Sequence, residues 1–120
     1  MLEIAIKNIL DEIVSPIKVT PVFGVGEGPF VTYTVTAIDG GVVKQSQAEI
    51  KIIDSDFDNA LLIREKIVKK LDMEAKVPSL VDNDIVLRSS LAGGGPLFND
   101  SIQMWELSCI FIINWRCKNE

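Results

Sequence analysis

The chain has 120 residues, 48% of them apolar and 24% charged, the composition of one folded domain rather than of a disordered or fibrous chain. Its 12 Lys and Arg against 17 Asp and Glu give a net charge of −5, which disfavours non-specific attachment to a phosphate backbone. There is no histidine, so zinc sites and Ser-His or Cys-His catalysis in their usual forms are excluded.

Uninterrupted apolar stretches are only a few residues long, far short of the ~20 that span a bilayer. The first ten residues carry Glu3 and lack the basic start and apolar block of a signal peptide. One domain over residues 1–120, made and used in a cytoplasm without a membrane, is expected.

Residues 2–14 read as a helix, because Leu2, Ile6, Ile9, Leu10 and Ile13 recur at three- and four-residue spacing. Ile4 falls on its polar side and is a candidate subunit contact. Ser15-Pro16 ends it, since the residue before proline is pushed out of the α region. Residues 17–23 are short, apolar and interrupted by Pro21, which suits an edge strand or an extended segment. The alternating glycines 24, 26 and 28 lead into a strand, not a helix, and no Lys-Ser/Thr pair follows, so they read as a loop rather than a phosphate cradle.

Residues 30–38 alternate Val31, Tyr33, Val35 and Ala37 with Thr32, Thr34 and Thr36, a strong strand. Asp39-Gly40-Gly41 is a hairpin signal, and residues 42–53 return as the partner strand. Residues 54–71 form a second helix, capped by Asp54 or Ser55, with Asp56 and Asp58 near its positive end. Its expected buried stripe is Phe57, Ala60, Leu61, Ile67, Val68 and Leu71. Arg64 interrupts that stripe and Leu62 stands on the polar face, as an oligomer contact would. Residues 72–84 read as a polar connector, 85–92 as a strand, and 93–96 as a flexible glycine turn continued by Leu97-Phe98-Asn99-Asp100. The last strand, 102–115, has one apolar face and one mixed face on which Met104, Ile110 and Ile112 are only partly covered. The expected fold is thus α+β: an antiparallel sheet of about four to five strands with two helices packed against it, in the order α-β-β-α-β-β.

Chemistry is sparse. Asp54, Asp56 and Asp58 match the opening of a calcium loop, but its glycine and distal bidentate Glu are missing, and helix capping already explains acids there. Cys109 and Cys117 lie eight residues apart in one predicted strand, about 26 Å, too far to bridge. Arg64, Lys66, Lys69 and Lys70 form a short basic run that reads as a solvated face. No catalytic residue, cofactor or metal ligand is expected, and the chain reads as a non-enzyme.

Element order and several short motifs resemble the tail-terminator, or tail-completion, proteins of long-tailed bacteriophages and prophages. An amphipathic helix opens the chain. A glycine-rich loop leads into Gly28-Pro29-Phe30-Val31-Thr32-Tyr33, similar to the Tyr-Pro-Phe-Val-x-Tyr pattern of those proteins, with Gly28 in place of the aromatic residue. Residues 48–53 run directly into Asp54-Ser55-Asp56-Phe57-Asp58-Asn59-Ala60, similar to their Ser-x-Asp-Tyr-x-x-Ala, and the closing strand leaves through Trp115-Arg116. The resemblance implies a subunit of a ring, commonly hexameric, that stacks on the last tail-tube ring and docks to head-completion proteins. It implies assembly in the host cytoplasm, a final place in the virion tail or neck, and DNA passing through without specific binding, past acidic lumen residues. Ile4, Leu62, Arg64, Met104, Ile110 and Ile112 are then expected between neighbours, with loops 24–29 and 93–100, including Leu97 and Phe98, in axial contacts. The alternatives are another phage neck or tail-joining protein, or a small non-catalytic protein-binding module.

Overall fold

The structure, a computed structural model, describes residues 2–21, 29–41 and 43–118. Helix α1 spans Leu2–Val14, as its periodicity requires, and buries Leu2, Ala5, Ile6, Ile9, Leu10 and Val14. On its outer face Lys7 meets Asp11 at 2.8 Å, one helical turn away. Helix α2 spans Phe57–Leu71. Its cap is Asp56 rather than Asp54 or Ser55: the Asp56 carboxylate accepts from the Asn59 amide at 3.2 Å. Its buried residues are Ala60, Ile63, Ile67 and Leu71, while Leu61, expected inside, is exposed.

The strands are β1 (Lys18–Pro21), β2 (Phe30–Asp39), β3 (Lys44–Asp54), β4 (Leu80–Asp82), β5 (Ile85–Asn99) and β6 (Met104–Cys117). They form one sheet in the order β1-β2-β3-β6-β5-β4. β1 pairs parallel with β2, and every other pair is antiparallel.

This corrects the expected fold class. Of the described residues 51% are strand and 26% helix, with six strands in a mixed, curled sheet and the order α-β-β-β-α-β-β-β, instead of four or five antiparallel strands in the order α-β-β-α-β-β. Two causes are visible. Residues 80–82, read as part of a polar connector, become a strand because the longer β5 offers an edge to pair with, and residues 18–21 are the edge-strand alternative of their sequence reading, paired on β2. The second cause is the glycine run, which is not a flexible turn. β5 continues through it to Asn99, with a register shift between Leu91 and Gly93. Gly94 sits at φ +136°, and a Cβ there would overlap the Ser108 carbonyl. The glycines therefore carry a bulge through which β5 stays paired with β6. The loop expected at 24–29 lies outside the described residues except for Pro29.

Both helices lie on one face of the sheet and touch each other. α1 covers β1 and β2, and α2 covers β3, β5 and β6. The register places Val31, Ile52 and Leu107 in one row and Tyr33, Ile50 and Cys109 in the next. With Phe111, Ile113, Ile6, Leu10 and Ile67 these residues form the core, nearly all of them fully buried. Full burial of each large side chain contributes about 1.5–3 kcal/mol. Among the described residues no helix covers the opposite face of the sheet.

Candidate assembly surfaces

Three surfaces are left unfilled by the fold. The first is the far end of the β5–β6 hairpin. Trp105 packs edge-on against Phe57 of α2 at 4.8 Å and against Phe98 of β5 at 5.1 Å. This aromatic chain clamps the hairpin to the start of α2. Beside it a pocket of about 230 Å³ is lined by Phe57, Leu61, Arg64, Gly95, Pro96 and Leu107. Phe98, Leu61 and Ile102 are exposed at this hairpin end, and Leu97, 63% exposed, projects from the opposite face of the sheet beside Glu106. Arg64 donates from Nε to the Ser108 carbonyl at 3.3 Å. Its terminal nitrogens meet no carboxylate among the described residues. The guanidinium is thus held by one bond at the edge of an apolar pocket, with its charge uncompensated there.

The second surface is the helix-free sheet face. Ile110 and Ile112 are half-buried in its middle, flanked by Glu49, Gln47 and Ser108. Lys51 meets Glu106 at 3.7 Å, and Glu106 also accepts from Asn99 at 2.7 Å. With Arg88 and Arg116 on the same face, positive and negative charges there are nearly balanced. The two helices balance as well, with Glu3, Asp11, Glu12, Asp58 and Glu65 against Lys7, Arg64, Lys66, Lys69 and Lys70, so the excess acid lies in the caps and connecting segments.

The third surface is the pair of sheet edges. β1 covers β2 only from Phe30 to Tyr33, so no described segment pairs with residues 34–39. β4 covers β5 only from Ile85 to Leu87. The segment after α2 extends that cover a little: Met73 N donates to Ser89 O at 3.0 Å, and Asp72 accepts from Leu91 N at 3.1 Å. Arg88 fastens this segment by donating to the carbonyls of Val77 and Glu74, at 2.6 and 2.7 Å. Beyond it, residues 92–99 have no described partner on their outer side. The two open edges sit at diagonally opposite corners, because β1 shields one end of the sheet and β4 the other.

The predicted contact residues fall into separate groups. Arg64 and Phe98 lie on the helix-covered side of the hairpin end, Leu97 projects from its other face, and Met104 closes the same hairpin opposite Asn99. Ile110 and Ile112 lie on the helix-free face. Leu62, 62% exposed, borders a groove on the outer side of α2 with Arg64, Glu65 and Lys69. Ile4 is exposed on α1 and joins none of these, since α1 packs on β1, β2, β4 and α2. Sequence reasoning missed Leu61 and Pro96 in the pocket, and the exposed pair Ile38 and Val43 at the β2–β3 turn. A usable signal for the first was Phe57 and Leu61 at i,i+4 on α2, one stripe too many for the buried face.

The acidic cluster divides in two. Asp56 is the exposed cap, whereas Asp54 is buried and accepts from Asp56 N at 3.1 Å and from Asn59 Nδ2 at 2.7 Å. Among the described residues, no three His, Cys, Asp or Glu side chains gather as a metal would require. Cys109 is buried in the core, and burial pushes its thiol up to about 12, against a smaller opposing pull from Arg64. No described helix is long and apolar enough to cross a membrane. No protein-family model matches the chain, and a comparison with curated proteins finds no match either.

Proposed function

We propose that this chain is a structural subunit of a head-to-tail ring that caps a phage tail tube, stops its polymerisation and docks to the head or neck. The observation that carries the ring is the pair of unlike open edges, residues 34–39 of β2 and 92–99 of β5. A ring built by rotation needs two different, complementary patches on each subunit, which these edges are. Exposed strand edges pair readily with another chain. The tail-terminator reading adds the sequence resemblance in the segments 28–33 and 54–60.

Native mass spectrometry and sedimentation, on the chain alone and with a tail-tube protein, test this. A closed oligomer, six subunits being the expected number, and shortened tubes are the expected results. A chain that stays monomeric in both settings and leaves tube length unchanged refutes it.

A further inference from the structure

We propose that α1 of one copy of this chain docks on α2 of the next, with Glu3 reaching Arg64 and Ile4 covering the pocket beside it. This contact rests on the ring reading and specifies which residues close the ring.

The pocket sets the chemistry of its occupant. Its walls are Phe57, Leu61, Pro96 and Leu107, and its one charge is the Arg64 guanidinium, which meets no carboxylate among the described residues. An apolar side chain next to a carboxylate fits such a site, because the carboxylate compensates a cation that is partly withdrawn from water. Glu3 and Ile4 form such a pair. Both are exposed on α1, Ile4 at 52%, and Glu3 meets no cation among the described residues. The wider surfaces agree. α1 carries Glu3, Asp11 and Glu12 against Lys7, whereas α2 carries Arg64, Lys66, Lys69 and Lys70 against Asp58 and Glu65. One helix is acidic and the other basic, so each copy attracts the next through unlike faces.

The fold places both partners on one face and at opposite flanks. α1, α2 and the pocket all lie on the helix-covered side of the sheet. On α1, Ile9, Glu12 and Ile13 look toward Lys70 of α2 and toward β4. Glu3 precedes Glu12 by about two and a half helical turns, so it points the other way, toward the β2 side. On α2, Leu61 and Arg64 face Gly95 and Pro96 of β5. Along the strands, both groups sit at the open edges. α1 ends beside the start of β1, where Ile17 N donates to Val14 O at 2.9 Å and Lys18 pairs with Phe30. Lys7 is raised above its ordinary value by its bond to Asp11 and, more weakly, by Tyr33, which sets it near Tyr33. Glu3 lies one turn further on, about 6 Å, beside the uncovered residues 34–39. Arg64 reaches the Ser108 carbonyl, and Ser108 pairs with Gly95 within the uncovered stretch 92–99. A rotation that brings the β2 side of one copy to the β5 side of the next therefore brings Glu3 to Arg64.

Charge reversal tests this, under the conditions in which the wild-type chain assembles, alone or on a tail-tube protein. Glu3→Arg alone and Arg64→Glu alone each weaken self-association about tenfold or more, with the loss growing as salt is lowered. Ile4→Asp weakens it as well. The double variant with Glu3→Arg and Arg64→Glu recovers, because the two reversed charges meet at every contact. Circular dichroism melts verify that each variant is folded. A folded double variant that associates no better than the single ones overturns the proposal. So does full assembly of Glu3→Arg or of Ile4→Asp, whether or not Arg64→Glu folds, and in that case the ring reading itself stands. A wild-type chain that stays monomeric in both settings overturns both.

Discussion

Gly94→Ala isolates the element that the sequence most misrepresents. At φ +136° an alanine is strained, at a cost of about 1–3 kcal/mol for a sparsely populated backbone conformation. Its Cβ would also overlap the backbone carbonyl of Ser108, which has no flexible end to move aside. Relieving that overlap pulls β5 off β6 at the bulge and adds about 1–3 kcal/mol. The expected loss is about 2–6 kcal/mol, a large part of the roughly 6–18 kcal/mol that stabilises a domain of this length. Gly93→Ala is the control. Nothing lies within 4 Å of a Cβ at Gly93, so its effect stays within about 1 kcal/mol of zero and is stabilising where alanine restricts the unfolded chain. Urea titration followed by fluorescence of Trp105 and Trp115, at one protein concentration, reads both. With an m-value of about 1–3 kcal/mol/M the Gly94 variant unfolds ~1 M earlier or more. Equal midpoints for the two variants would refute the bulge and restore the flexible turn.

Two further outcomes follow from the site geometry. Asp56→Ala removes the α2 cap and costs about 1 kcal/mol. Asp54→Ala leaves the part-buried Asp56 amide and Asn59 side chain without their acceptor and costs about 1–3 kcal/mol; urea midpoints in which Asp56→Ala is the more damaging change would contradict this assignment. Cys109 makes stability depend on pH in alkali. Its ordinary value of 9.0 is raised to about 12 in the folded protein, so the native state holds a proton that the unfolded chain releases. The stabilisation is complete below about pH 9 and declines as pH rises toward 12, at up to about 1.4 kcal/mol per unit. Cys109→Ala flattens that decline, and identical stability-versus-pH slopes above pH 9 in the two proteins would show the thiol is not its source.

Residues with strong periodicity were legible before any tertiary structure. Leu2, Ile6, Ile9 and Leu10 repeat at helical spacing and form the buried face of α1. Val31, Tyr33 and Val35 alternate, and β2 follows. The wholly apolar set of β6, from Leu107 to Ile113, is the centre of the core. In each case the local pattern and the burial agree, because an element with one apolar face has only one way to hide it. Arg64 and Phe98 were also visible as residues out of place, but not as parts of one hairpin end, since they are separated by more than thirty positions and share it only because β5 and α2 flank it.

By itself, then, the sequence determined the two helices, the four longer strands, the apolar core and the absence of histidine chemistry, all of which follow from composition and period. Tertiary structure alone decided that residues 80–82 pair as a strand, that 18–21 are an edge strand rather than merely extended, and that the glycine run is sheet rather than turn. It also decided which corners of the sheet stay open. The physical reason is the same in each case: a short strand, a bulge or a free edge is defined by its neighbour across the sheet, and that neighbour lies far away along the chain.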